Sequence, residues 1–406
     1  MRVLRPCTLH VHQHKVSTIP RNPILLHRQN IFNQHAGGVR RSCQQYRDVD
    51  HLRCRAEADQ SRGEAASDKN NREATPSNGD KEKVVAVLPK GDAAAENDKY
   101  LNCVENALGL REWLESSGHT VITTADKEGS DSELAKNLPD ANVIITTPFH
   151  PAYMTRELIE KAPKLELIVT AGVGSDHIDL HAAADKGITV AEVTGSNVSS
   201  VAEDEVMRML ILIRNFVPGY LQAINEEWDV PAIAQKAYDI KGKTVGTAGG
   251  GRIAYEVMKR LEAWDEKDFD TFLSKCDIVT INVPLTDSTK GMFDKEVISK
   301  MKKGAFLVNN ARGVIVDQDA VEEALKSGQL GGYAGDVWPQ QPAAPEHPWR
   351  HMPCHAMTPH ISGTTIDAQE RYAGGVRDIL EAWIEQKPFE EDYYIVREGE
   401  LAPQHR

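Results

Sequence analysis

The rhythm of apolar and polar positions changes at residue 83. From there, short apolar runs recur, each closed by proline, glycine or charge. VVAVL at 84–88 stops at Pro89 and predicts a buried strand. A helical stretch over 103–117 follows, then strands over 121–124, 141–147 and 167–170. Strands separated by helical segments of about 15 residues predict parallel α/β units. A second series opens with a long helix over 197–216. It continues with strands over 244–248, 278–283, 305–309, 332–337 and 357–361. Helices are predicted over 252–263, 269–276, 294–301, 318–327 and 367–386. Two α/β modules fit this better than one, and no internal repeat recurs at a fixed period.

One turn in the second series carries chemistry. GGGRIA at 249–254 reads as GxGxxA between a predicted strand and a predicted helix. Gly249 permits the tight turn. Gly251 lets backbone N–H groups approach a pyrophosphate at the helix N-terminus, and the small Ala254 lets helix and strand pack closely. Alone, the motif is also compatible with a glycine-rich turn that binds nothing. A dinucleotide fold needs a second strand ending in an acid about 20 residues further on, to hold ribose hydroxyls. Here the helix runs straight into DEKDFD at 265–270 with no β-rich run. One strand–helix–strand segment is expected to be absent, and Asp265 or Asp268 are weak substitutes for the acid.

Charge divides the chain. The net charge is −13, yet residues 1–55 hold ten Lys/Arg against Asp48 and Asp50 and so carry +8. The remaining residues therefore carry −21, a poor basis for nucleic-acid binding. An Arg-rich, acid-poor leader has the composition of an organellar transit peptide. Its apolar patch Ile24-Leu25-Leu26 is too short for a secretory core. A basic tail that binds something anionic is the other reading, and composition does not separate mitochondrion from plastid. Residues 56–82 are polar and read as a disordered spacer. No apolar run approaches the ~18 residues of a membrane span. The six cysteines are scattered without a CxxC pair, which argues against a disulfide scaffold, a zinc ribbon or an iron–sulfur site, and no metal is expected.

Several blocks then point to one family. TPFHPAYMT (147–155), TAGVGSDHIDLHAAA (170–184), TVAEVTGSN (189–197), NNARGVIVD (309–317), GGYAGDVWPQQPAAPEHPWR (331–350) and AMTPHISGTT (356–365) closely resemble the NAD-dependent formate dehydrogenases, within the D-2-hydroxyacid dehydrogenases. The resemblance spans roughly 83–402. It implies an α/β chain of two Rossmann-like lobes with parallel sheets. A catalytic lobe at 83–197 would be completed by a return at 362–406, with an NAD-binding lobe at 198–361 inserted between, and the active site in the cleft. It also implies a homodimer, with formate as substrate and NAD as cofactor.

Formate oxidation moves a hydride to nicotinamide and leaves carbon dioxide, with no O–H proton to remove. Such an enzyme must hold the carboxylate, align the C–H bond and exclude water. Alone, Arg312 reads as a surface salt bridge; within NNARG the resemblance makes it the carboxylate clamp. Asn197 would donate to the second oxygen, although it also reads as a helix cap. The resemblance adds the Val173 N–H as a formate contact and Pro148 and Phe149 as an apolar wall. It places His360 at the catalytic position, lending polar or positive character near the reacting carbon. In 2-hydroxyacid relatives the partner of that histidine is a glutamate; here the matching place holds Gln341. For the cofactor it implies Arg252 and Ile253 at the pyrophosphate and Pro284, Leu285, Thr286, Asp287 and Ser288 on the adenine side. Asn310 would face the nicotinamide and Asp336 would accept from its carboxamide, with Val198, His360, Ile361, Ser362 and Gly363 completing the set.

SVAEDEVM (200–207) departs from the family pattern, which has histidine at Asp204 and an apolar residue at Glu205. Two acids on the expected interface helix weigh against dimerisation. The alternatives to formate oxidation are a D-2-hydroxyacid dehydrogenase, which Gln341 and PFHPAYM argue against, and a homologue impaired by the cofactor-lobe deletion.

Overall fold

Buried β-branched runs build two separate sheets. A computed structural model describes residues 81–261 and 273–402. The leader at 1–55, all but the last two residues of the spacer, and Asp265 and Asp268 lie outside them. Strands β1 (Lys83–Val87), β2 (Thr120–Thr124), β3 (Val143–Thr146), β4 (Leu167–Thr170) and β5 (Thr189–Glu192) pair in parallel in the order β5-β4-β3-β1-β2. β3 and β4 are buried at every position, as strands covered on both faces must be. A second parallel sheet has the order β10-β9-β8-β7-β6, with β6 (Val245–Ala248), β7 (Ile278–Ile281), β8 (Ala305–Asn309), β9 (Leu330–Gly335) and β10 (His355–Met357). The chain then returns to the first sheet. Helix Ile366–Ile384 lays Ala368, Tyr372, Val376 and Ile379 on the first core. β11 (Tyr394–Arg397) pairs antiparallel with β5, and β12 (Glu400–Leu401) with β11.

Several sequence expectations need correction. The helix over 103–117 is only a short turn at Ala107–Gly109 and the helix Arg111–Ser116, because Ala107, Leu108 and Gly109 take left-handed φ values. The long helix ends at Ile213, and a new one, Phe216–Ile224, starts after Asn215 turns at φ 53°. Apolar periodicity continues across that break and hides it. The strand over 357–361 is instead His355–Met357. His360 stands at φ 56°, and the Ile361 and Ser362 N–H groups donate to the Asp336 side chain. Strands β5, β11 and β12 were not anticipated; each is short. Among the described residues β6 lies at the edge of its sheet, whereas a dinucleotide fold usually carries its first strand in the interior.

Asp204 and Glu205 do not face outward, so they present no charge to a partner. Glu205 is fully buried on helix Val198–Ile213, and its Oε2 accepts from the Thr280 hydroxyl at 2.6 Å and Asn282 Nδ2 at 3.1 Å. Asp204 pairs with Arg208 and accepts from Asn310 Nδ2 at 2.8 Å. The acids sit on the side of the helix that packs on the cofactor sheet. Burial pushes the Glu205 carboxyl up to about 7, against the hydrogen bonds of Thr280 and Asn282. A raised folded value favours the neutral form, so this stability contribution is complete below pH ~4.5 and is lost as pH rises through about 7. Glu205→Gln, neutral at every pH, should therefore melt at least about 2 °C above the parent at pH 8 and level with it near pH 4.5. A melting difference that does not change with pH would show that burial does not raise the Glu205 carboxyl in the fold.

Candidate active site

The two sheets bracket a cavity of about 800 Å³. Loops after β3, β4 and β5 line it from one lobe, and loops after β7 and β8 from the other, together with the 360–363 turn. Loops beyond the carboxyl ends of parallel strands are where α/β sheets bind ligands.

Arg312 follows β8 in a braced loop. Asn309 is buried; its Nδ2 donates to the Arg312 carbonyl at 3.0 Å and its Oδ1 accepts from Ala311 N at 3.1 Å. The guanidinium therefore leaves a fixed backbone. Across the cavity, Gly172 and Gly174 take positive φ on either side of Val173. Among the described residues the Val173 N–H donates to nothing, and Val173 lines the cavity. Phe149 lines it too and meets the His360 ring edge-on at 5.4 Å, while Pro148 lies behind, against Gly172.

Asn197 precedes helix Val198–Ile213, yet its side chain makes no cap bond. Its Oδ1 is buried without a partner, and its amide lies against Gly363. The capping reading fails for that reason. Asn310 also keeps a buried Oδ1 without a partner, and both residues line the cavity. Buried polar atoms cost about 1–3 kcal/mol when unmatched, so two such carbonyl oxygens on one cavity fit a ligand with N–H donors, such as a carboxamide.

The Nδ1 of His360 lies 2.8 Å from Gln341 Oε1. Burial lowers the His360 pKa to about 4, only partly offset by Asp336. The ring is thus neutral at pH 7, polar rather than positive. Asp336 is wholly buried and off the cavity wall. It accepts from Thr358 Oγ1 at 2.6 Å, Ile361 N at 2.8 Å and Ser362 N at 2.7 Å, and pairs with Arg208 at 3.3 Å. It shapes the 360–363 turn from behind.

The glycine turn also fits its expected ligand. Gly249 stands at φ 111°, where a Cβ would come 2.6 Å from the Asn282 backbone, while nothing crowds Gly251. Ile253, Pro284, Leu285, Thr286, Asp287 and Ser288 line the cavity. Arg252 opens helix Arg252–Leu261 and turns its guanidinium to Asp392 at 2.8 Å. Val198 opens the helix beside Asn197. Sequence reasoning overlooked Asp176, Glu192, Arg208 and Asn309. The first two stood in view inside GVGSDHI and TVAEV, as acids in otherwise apolar stretches.

Among the described residues no cluster of His, Cys, Asp or Glu could hold a metal, and no helix is long and apolar enough to cross a membrane.

A glycine cradle, an arginine and a half-buried histidine carried by one lobe, at a cleft that the other lobe closes, fit a two-lobed dinucleotide-dependent dehydrogenase. The model of the D-isomer specific 2-hydroxyacid dehydrogenase NAD-binding domain matches residues 263–362. A mitochondrial formate dehydrogenase of Solanum tuberosum is 57% identical over 348 residues, covering 80% of this chain and 91% of its own. One of Candida boidinii is 51% identical over 337 residues, covering 75% and 93%. A crystal structure of NAD-dependent formate dehydrogenase from Staphylococcus aureus in complex with NAD superposes with a TM-score of 0.73 at 47% identity, covering 77% of this chain and 99% of that one. The chain belongs to the formate dehydrogenases, within the D-2-hydroxyacid dehydrogenase family.

Proposed function

We propose that this chain oxidises formate to carbon dioxide with NAD as hydride acceptor. The observation that carries the reading is the pairing of His360 with the amide Gln341 rather than with a carboxylate. NAD, when bound, supplies nicotinamide C4 to receive the hydride. Arg312, the Val173 N–H and the Asn197 amide hold the formate oxygens. Pro148 and Phe149 keep water from the reacting carbon.

The amide matters because His360 is neutral. To donate from Nε2 to an anion, a neutral ring must accept at Nδ1. Gln341 can donate there once its amide group is turned, and a glutamate cannot. Glutamate would instead stabilise the imidazolium, which suits a reaction that takes up a hydroxyl proton. Formate has none, so a 2-hydroxy acid is the weaker reading.

The pyrophosphate falls to the cradle at Gly249 and Gly251 with the first turn at Arg252 and Ile253, and Val198 completes the cofactor contacts. The adenine side falls to residues 284–288. The carboxamide falls to Asn310 and the Ser362–Gly363 turn, which Asp336 holds from behind through the Ile361 and Ser362 N–H groups. Mitochondrial import is assigned to the basic leader, as the potato relative's name supports; a relative of Arabidopsis thaliana is named chloroplastic/mitochondrial. A homodimer is supported by the exposed Phe216, Tyr220, Ile224, Trp228 and Val230 on helices Phe216–Ile224 and Val230–Ala234 and the loop between them. Sedimentation as a monomer at micromolar concentration would contradict it.

Formate-dependent growth of NADH absorbance with the purified full chain tests the activity. Gln341→Glu should lower kcat/KM for formate at pH 8 by at least about 10-fold and add an ionisation to the pH–rate profile. An unchanged rate and profile would remove Gln341 from the mechanism.

The cofactor lobe is proposed to lack its ribose-binding strand. Among the described residues β6 lies at a sheet edge, and residues 262–277 are too few for a strand, a helix and a second strand, about 30 residues. The potato alignment points the same way: 348 positions draw on 80% of 406 residues, which is about 325, so some 20 positions have no counterpart here. A ribose acid supplies charged hydrogen bonds of about 1.5–3 kcal/mol and repels a 2′-phosphate. This chain should therefore bind NAD at least about 10-fold more weakly than a version with the segment restored, and discriminate less against the phosphorylated cofactor. Calorimetric titration of both proteins decides this; equal affinity and equal discrimination would mean that another residue anchors the ribose.

A further inference from the structure

Arg312 enters the cavity from the cofactor lobe, but its partner belongs to the catalytic lobe. Nε and Nη2 both reach Oδ1 of Asp176, at 2.7 and 2.6 Å, and Asp176 stands on the loop after β4. Nη1 donates to the carbonyl of Ala311 at 2.8 Å. A guanidinium has five N–H donors. Three are committed here, which leaves two for a substrate carboxylate.

The Asp176 loop is itself held. Glu192 is buried at the end of β5, and its Oε2 accepts from Gly174 N at 2.9 Å and the Ser175 hydroxyl at 2.8 Å. Gly174, at φ 105°, lies so close beneath Arg312 that a Cβ there would overlap the guanidinium. The neighbouring Arg312 holds the Asp176 carboxyl down at about 2 although burial opposes this. His177, Tyr153 and His360 are the other titratable groups that face it, and both histidines are neutral at pH 7 because burial lowers each to about 4. Asp176 therefore carries its charge throughout the working range.

We propose that Asp176 is the positioning residue of the formate clamp: it fixes the Arg312 guanidinium across the cleft, so that the clamp is assembled only where the two lobes meet. The inference rests on the reading of Arg312 as the clamp. Two effects compete. The Asp176 charge weakens the pull of Arg312 on an anion, whereas fixing a long side chain with about 2 kcal/mol of rotamer entropy pre-orders the fork. The repulsion is tempered because the carboxylate is already paired, so the positioning effect dominates.

The test measures dissociation constants by calorimetry on the full chain: for nitrate, a planar anion with no hydride to give, at saturating NAD, and for formate at saturating NADH, where no turnover occurs. Asp176→Ala should weaken both anions at least about 10-fold, the loss of one charged hydrogen-bonding partner. Asp176→Asn should lose less, and Asp176→Glu should stay within about 3-fold of the parent. NAD affinity should be unchanged within about 2-fold in all three. Arg312→Ala should lose both anions, and adding Asp176→Ala to it should cost nothing further, because the two act as one unit. In turnover, the KM for formate should rise while kcat changes by less than about 3-fold. If Asp176→Ala binds formate as tightly as the parent, or more tightly, while Arg312→Ala loses it, Asp176 is a bystander or a competitor and the proposal falls. A fall in kcat with an unchanged KM would also overturn it. Retained formate binding in Arg312→Ala would instead remove the clamp reading, and this inference with it. Asp176→Asn has the same shape as the native side chain and decides the question should the alanine variant not fold.

Discussion

A buried guanidinium ties the cofactor lobe to the helix that leads into it. Arg208 has 1% of its side chain exposed, and all five of its N–H groups find partners. It donates to the carbonyls of Gly335 and Ala356, to Thr358 Oγ1 and to Asp336, and pairs with Asp204 on its own helix. The ends of β9 and β10 are thereby held to helix Val198–Ile213. Asp336 passes the constraint on through Ile361 and Ser362 to the turn that carries His360. Cutting such a buried pair at one end typically costs about 3–5 kcal/mol, because the other charge is left unpaired. The place of His360 thus depends on a residue well behind it.

The charges facing the cavity suit a substrate that loses its own charge. Formate is an anion, and the product carbon dioxide is neutral. As the hydride leaves, negative charge drains from the carboxylate, so a strongly cationic pocket would hold the ground state better than the transition state. Arg312 is paired with Asp176, and His360 and Gln341 are neutral at pH 7. The cavity thus offers an anion hydrogen-bond donors with little net charge.

The cofactor lobe shows how local and global requirements separate. The cradle at Gly249 needs only a strand, a glycine at positive φ and a helix start, all of which are present. The ribose anchor needs a neighbouring strand. One can be intact without the other, because the pyrophosphate contacts are made by backbone and the ribose contacts by a side chain that another element must place.

Much of this protein was legible from residue order. Period-two and buried apolar runs marked most of the strands, GxGxxA marked the cradle, and NNARG and TPHISGTT marked Arg312 and His360, because these depend on neighbours within a few positions. Helix ends and short strands were less visible. The turn at Asn215 interrupts no apolar pattern, and β11 exists only because β5 offers it an edge just over 200 residues earlier in the chain. The charge states were not legible at all. Whether Asn197 caps a helix or faces a cavity, whether His360 is neutral, and whether Glu205 points outward are decided by burial and by partners from distant segments. Asp176 and Arg312, 136 residues apart, meet only across the cleft. Local sequence determines which groups the chain carries; the desolvation and pairing that set their behaviour arise only when the two lobes pack.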